Sequence, residues 1–496
     1  MATTLRPATS GCRLADIADR CGLVLADPGD GDVVVRGVTH DSRSVQPGDL
    51  FAALPGERAH GLRFGAQARS RGAVAILSDV SSLDTGETAE GLPLLLAADV
   101  RGHLGRVASL VYGEPSRDLV LVGVTGTNGK TTTAFLLQAG LRAAGLRAGI
   151  IGTTGARLDD ESLPLERTTP EAPDLQALLA VMRERGIQAV AMEVSSHALA
   201  LHRVDGIVFQ AAIFTNLSQD HLDFHGTMES YYDAKASLFD SSRARVGVVC
   251  VDDAWGRRLA REASIPVTTY AIDTDADVAC TSIRETLHGQ VVSVRAGQSH
   301  ADIALSLPGT FNAANGVAAW TTLRLLGLPE EDVARGLAQV TVPGRMQIVD
   351  RGQPFLAIVD YAHSPDSVER AILAVRGHGR VIVVLGCGGD RDRDKRPIMG
   401  RIAAELADLL IVTDDNPRSE SPAQIRAEML AGVPADAAVV EIGDRRAAIR
   451  HAVEEAGDGD VVLLLGKGHE PGQEVAGAIE PFLDADELAA AIEVTR

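Results

Sequence analysis

Along the chain, short unbroken apolar runs alternate with stretches in which apolar residues recur every three or four positions. The run "LVLVGV" (Leu119–Val124) carries no polar side chain, the pattern of a strand buried on both faces. Glycines follow it, then Leu137, Leu141 and Ala144 at helical spacing, with Gly145 placed to end the helix. The runs "AVAMEV", "AAIFTNL" and "VGVVCV" repeat this alternation and predict a mostly parallel sheet flanked by helices. Further on, "FLAIVDYAH", "GRVIVVLGCGGD", "ADLLIVTDDNP", "AAVVEIGD" and "GDVVLLLGKGHE" each end in polar, glycine-rich or charged residues. Ligands of open α/β sheets bind at the carboxyl ends of strands, so these ends predict a Rossmann-like domain with a site along its rim. Upstream, "DVVVRGV", "GAVAILSDV" and "LPLLLAADV", mixed with the helical "LGRVASLVYG", predict a mixed α/β section.

Turn-rich "GEPSRD" (Gly113–Asp118) and the pair Pro343 and Gly344 punctuate the chain. The expected fold class is α/β in three domains: an N-terminal mixed α/β domain over residues 1–117; a central domain with a mostly parallel sheet over 118–342, whose run "GTNGKTTT" (Gly126–Thr133) makes it a P-loop-type ATPase domain; and a C-terminal Rossmann-like domain over 343–496. A chain of 496 residues is too long for one core. No apolar run approaches the roughly 18–20 residues of a membrane span. The start, "MATTLRPATSGCRLADIADR", lacks a secretory pattern, so a cytoplasmic protein without membrane insertion is expected. A net charge of −20 with no long basic tract argues against a nucleic-acid partner. Anions must then be held by local devices such as glycine loops, helix N-termini and single cations. The five cysteines are scattered with no C-x-x-C pair, against a zinc site or disulfide framework. Cys387 in "GCGGD" is open to two readings, a nucleophile without an assignable base or a small loop residue.

"VGVTGTNGKTTTAF" (Val122–Phe135) puts Gly126, Gly129, Lys130 and Thr131 between a strand and a helix N-terminus. Glycines let backbone N–H groups point inward, the lysine reaches outer phosphates and the hydroxyl suits magnesium. Val124 stands where the strict P-loop spacing has its first glycine. A second Gly-Lys pair, in "LLLGKGHE" (Leu463–Glu470), lacks the following hydroxyl and helix and is not read as another ATP site. Glu193 ends a buried run, where a carboxylate either binds a cation or serves as an N-cap or ion pair. His221 follows the strand "AAIFTN" and is the best ligand candidate among thirteen histidines, with a surface or core role left open.

The segments "GVTGTNGKTTT", "MEVSSHALALHR", "FTNLSQDHLDFHGTMESYYDAKASLF", "GTFNAANGVAA", "PGRMQ", "VDYAHSPDS", "GCGGDRDRDKRP", "TDDNPRSE" and "GKGHE" together resemble the Mur ligases of peptidoglycan synthesis, from about residue 38 to 470. The likeness is strongest to the branch that uses meso-diaminopimelate. It implies an ATP- and Mg2+-dependent ligase that phosphorylates the D-glutamate γ-carboxylate of UDP-MurNAc-L-Ala-D-Glu and lets an amine of meso-diaminopimelate attack the acyl phosphate. The phosphate step makes chemical sense, because a carboxylate is a poor acyl donor until it carries a good leaving group. A monomer is expected.

Carried over by position, Thr125, Gly126, Thr127, Asn128, Gly129, Lys130 and Thr131 would hold ATP phosphates, and Thr131, Glu193 and His221 would bind or approach magnesium. Asn312 and Arg345 would approach the nucleotide base and phosphates, and Asp360 its ribose. His40, Ser42, Glu57, Arg58 and Ala59 would hold the UDP-sugar peptide, joined by Thr168, Thr169, Ser195 and Arg203. Without the resemblance, the segments holding the first five read as plain turns. Leu201 stands where relatives often have glutamine, so any side-chain hydrogen bond there is lost. Lys130, Lys235 and His221 are the implied catalytic residues. On its helix Lys235 reads as a solvated ion-pair partner, but the resemblance implies a carbamate there, N6-carboxylysine. The amino-acid site would use Arg391, Asp415, Asn416, Pro417, Arg418, Gly466 and Glu470, although "DNPR" alone also reads as an Asx-type turn with a solvent arginine. An arginine can bind the second carboxylate of diaminopimelate through two parallel hydrogen bonds.

Competing readings are the same reaction with L-lysine, a folylpolyglutamate synthetase-like ligase, a P-loop switch or motor, and a dinucleotide oxidoreductase. The last would need G-x-G-x-x-G, which "GCGGD" does not complete.

Overall fold

The computed structural model describes residues 6–56, 59–80, 89, 91–159, 161–286 and 289–495. The chain forms two compact units. The first comprises Met1–Ala279, Arg295–Ser299 and Val317–Gly336.

In this unit the strand Val120–Thr125 lies inside a larger sheet whose first eight strands are, in order, Glu161–Leu163, Gly155–Leu158, Ala148–Gly152, Ala189–Glu193, Val120–Thr125, Phe209–Phe214, Ala244–Cys250 and Val267–Ala271. Among these eight, pairing is parallel from Ala148–Gly152 to Val267–Ala271, and antiparallel through Gly155–Leu158 and Glu161–Leu163. The strand runs one residue past its apolar pattern, since Thr125 still pairs with Phe214. Leu121, Val122 and Val124 are all fully buried, as a strand covered on both faces requires. The parallel register sets Glu193 beside Val124 and Phe214 beside Thr125, so three strand ends reach the glycine loop together. The helix Lys130–Ala143 starts at Gly129, in the left-handed region at φ 88°, and stops before Gly145 at φ 86°. Glycine tolerates both conformations without the steric cost of a Cβ.

A second sheet in this unit runs Val24–Leu25, Leu94–Ala97, Ala75–Asp79, Asp49–Ala52 and Gly37–Thr39, parallel except at its first pairing. The helices Val100–Val111 and Ala172–Glu184 pack on each other. Ala172, Ala177 and Ala180 join the core of this second sheet.

The second unit comprises Cys280–Val294, His300–Gly316 and Leu337–Arg496. Its sheet runs Gln347–Ile348, Leu356–Asp360, Val461–Leu465, Val381–Leu385, Leu409–Val412 and Val439–Glu441. The five strands expected from the sequence are parallel, and the antiparallel edge Gln347–Ile348 adds a sixth that the apolar runs do not predict. Val381, Val383 and Leu385 enter one hydrophobic cluster while Ile382 and Val384 enter another. Apolar cores on both faces explain why these runs do not alternate with polar residues. Among the described residues, no helix is long and apolar enough to cross a membrane.

Arg445 and Asp484 form a bidentate ion pair at 2.6 and 2.7 Å with both side chains fully buried. Removing one partner strands the other charge away from water. Asp484→Ala is therefore expected to destabilise the protein by about 3–5 kcal/mol. Thermal unfolding of the variant checks this, and an unchanged midpoint refutes it.

Candidate active site

The loop between Val120–Thr125 and Lys130–Ala143 is clamped by the segment after Phe209–Phe214. Thr127 N donates to Asn216 O at 2.9 Å and Asn128 N to Asn216 Oδ1 at 2.9 Å. Thr215 Oγ1 donates to Asn128 O at 2.6 Å, and Ser218 N to Thr127 Oγ1 at 3.0 Å. Gly126 sits at φ 147°, and a Cβ there would collide with Thr215 Oγ1. Lys130 Nζ donates to Gly126 O and Thr127 O, both at 2.8 Å.

Thr131 Oγ1 donates to Glu193 Oε2 at 3.0 Å, and Thr153 reaches the same carboxylate through N at 2.8 Å and Oγ1 at 3.1 Å. Glu193 is thus buried but satisfied by neutral donors, with no cationic side chain bonded to it among the described residues. Thr168 Oγ1 lies 3.2 Å from Thr153 Oγ1. Thr169 Oγ1 donates to Glu193 O at 3.0 Å and also accepts from Ser195 N at 3.2 Å. Ser195 caps the helix Ser196–Ala200. Buried Arg203 pairs with Glu171 at 2.8 Å, and its loss of solvent pulls the guanidinium below its usual range. The expected Thr168, Thr169, Glu193, Ser195 and Arg203 are therefore brought together. Thr153 and Glu171 belong with them; Thr153 falls in no sequence motif, whereas Glu171 ends the segment "ERTTPE" that carries Thr168 and Thr169.

His221 lies among aromatic rings. Its ring packs edge-on against His197 at 4.9 Å and Tyr231 at 6.0 Å, and among the described residues it makes no hydrogen bond to Glu193. Burial pulls its imidazole below the usual range. Lys235 is not a solvated helix lysine. It is buried, donates to Gly126 O at 2.8 Å and lies 4.7 Å above the Tyr231 ring. Burial, then the charge of Lys130, pushes its ammonium well below the usual range.

Among the nucleotide-side candidates of the second unit, Asn312 Nδ2 donates to Pro308 O at 2.8 Å. Asp360 accepts from Met346 N and Ala362 N, both at 2.8 Å, and Arg345 lies 4.5 Å over the Tyr361 ring. Arg345 Nε is buried with no hydrogen-bond partner among the described residues. Near the N-terminus, Ser42 Oγ donates to Gln67 Oε1 at 2.7 Å, while His40 Nδ1 is buried and likewise unpartnered among the described residues. Ala59 is half-buried, and Glu57 and Arg58 lie outside the described residues.

At the rim of the second unit's sheet, Asn416 Nδ2 donates to Glu470 Oε2 at 2.5 Å. Pro417 leads into Arg418, which sits at φ 52° and donates to Gly389 O at 2.7 Å. A Cβ on Gly466 would lie 2.5 Å from Asp415 Oδ2. Arg391 is exposed and joins none of these hydrogen bonds. Arg418 is not a buried unpaired charge, since Gly389 O and, at 3.7 Å, Glu474 accompany it. Cys387 is a small buried loop residue, its thiol pushed up to about 12 by burial.

Three domain families match the chain: Mur ligase family, catalytic domain, over residues 34–104; Mur ligase middle domain, over 124–323; and Mur ligase, glutamate ligase domain, over 344–468. A Streptomyces coelicolor relative named UDP-N-acetylmuramoyl-L-alanyl-D-glutamate–2,6-diaminopimelate ligase is 50% identical, covering 98% of this chain and 97% of its own. The chain belongs to the Mur ligase family. A Corynebacterium glutamicum Mur ligase of the same name is 48% identical over 93% of this chain and 92% of its own. A solved Mur ligase structure of that name aligns with a TM-score of 0.73 at 32% identity, covering 98% of this chain and 99% of that one. The folylpolyglutamate synthase of Mycobacterium tuberculosis shares the fold alone, with a TM-score of 0.60 at 19% identity over 72% of this chain and 91% of that one.

Proposed function

We propose that the chain is an ADP-forming ligase that joins meso-diaminopimelate to the D-glutamate γ-carboxylate of UDP-MurNAc-L-Ala-D-Glu. The observation that carries this reading is the buried Thr131–Glu193 pair beside a clamped phosphate loop, in a chain half identical to a ligase of that name. Residues 1–117 would hold the UDP-sugar, 118–342 ATP, and 343–496 the amino acid. A cytoplasmic monomer is the expected form.

The oxygen donors of Thr131 and Glu193 fit a hard divalent cation. Magnesium held there would neutralise charge on the transferring phosphoryl group. Lys130 would add its charge to the outer phosphates. The γ-carboxylate attacks the γ-phosphorus of ATP and ADP leaves. An amine of diaminopimelate then attacks the acyl carbon, and the tetrahedral intermediate expels phosphate.

ADP formation measured with each substrate omitted tests the reading. Turnover is expected only with ATP, the UDP-dipeptide and diaminopimelate together, because such sites become catalytically complete only around all their ligands. Comparable ADP release by enzyme and ATP alone refutes it and favours a switch or motor.

Selection of diaminopimelate over lysine is assigned to Arg418, whose planar donors suit the second carboxylate. Its existing partners lessen the penalty for an unmatched ligand. Arg418→Ala is expected to lower kcat/KM for diaminopimelate about a hundredfold, leaving KM for ATP unchanged. Equal use of lysine and diaminopimelate by the wild-type enzyme removes the specificity claim.

A further inference from the structure

The lysine of "GKGHE" has no part in the phosphate chemistry above, yet it is fully buried. Lys467 Nζ donates to Asn416 Oδ1 at 3.2 Å and to Gly472 O at 2.6 Å, and lies 3.7 Å from Glu470 Oε2. Asn416 Oδ1 also accepts from Glu474 N at 2.9 Å. An ammonium and a backbone N–H can only donate, and a carboxylate only accepts. The two donors therefore fix the Asn416 amide with Nδ2 toward Glu470. By bonding Gly472 O, Lys467 also closes the short loop on which Glu470 sits.

We propose that Lys467 is a positioning residue for the amino-acid site, an internal cation that orients Asn416 and holds Glu470 as an ionised acceptor for the distal ammonium of the substrate. This rests on the ligase reading above. Glu470 needs such a partner, because burial and the neighbouring Asp415 both disfavour its charge. Lys467, Arg418 and Arg445 act in the opposite sense, with Tyr361 OH at 3.4 Å and the His469 ring beside Tyr361 completing the surroundings.

Lys467→Met is expected to raise KM for diaminopimelate roughly tenfold or more, with KM for ATP and for the UDP-dipeptide within about twofold of wild type. Losing the cation lets Glu470 protonate at higher pH, so the acid limb of kcat/KM for diaminopimelate should move upward. Lys467→Gln keeps a donor while losing the charge and should show the same shift if the methionine variant does not fold. In a Glu470→Gln background, Lys467→Gln should add little further loss. An unmoved acid limb with unchanged KM in Lys467→Gln, or fully additive losses in the double variant, overturns the proposal. Failure of the wild-type enzyme to use diaminopimelate would instead overturn the ligase reading.

Discussion

Lys130→Ala is expected to lower ligation by about a thousandfold while the protein stays folded. The lysine sits at the first turn of a helix whose N-terminus already favours anions, and its ammonium bonds two carbonyls of the phosphate loop. The loop does not depend on it for shape. Gly126 and Gly129 supply the positive φ angles, and Thr215, Asn216 and Ser218 hold Thr127 and Asn128 by hydrogen bonds. The loss should therefore appear in turnover, read as ADP and ligated product, with little change in the thermal midpoint. A variant that keeps its turnover but unfolds at lower temperature would make Lys130 a structural residue.

Lys235→Ala is expected to lower kcat by roughly two to three orders of magnitude, with partial recovery on adding acetate or another short carboxylic acid. Two lysines donate to one carbonyl, Gly126 O, and the deeper of them lies out of water. Like charge and burial both favour the neutral amine. A neutral amine can attack carbon dioxide, forming an N–C bond and releasing a proton, which turns a cationic position into an anionic one. A carbon-13 carbamate signal from labelled bicarbonate should appear in the wild-type enzyme and vanish in Lys235→Ala. Full activity of the unrescued variant, or no such signal, removes the carbamate.

The phosphate loop is legible in the sequence because its chemistry is local. Strand, glycines, lysine, hydroxyl and helix follow one another, so spacing alone places them. The parallel strands of the second unit's sheet are legible for a similar reason, since burial on both faces demands unbroken apolar runs. Thr153 is not legible, because its bond to Glu193 spans 40 residues and no motif marks it. Sequence alone also misreads the environment of Lys235. Helical spacing suggests solvent, whereas Gly126 O is 109 residues away and only the fold brings them together.

Sequence by itself determined the α/β class, the buried parallel strands with unbroken apolar runs, and the identity of the phosphate-loop side chains, because each follows from neighbours along the chain. Tertiary structure alone decided which polar groups meet. It put Thr153 on Glu193, set His221 edge-on against His197, left Arg391 in solvent and buried Lys467 against Asn416. Hydrogen bonds and charge burial depend on distances across the sheet ends, and those are set by register and packing rather than by spacing along the chain.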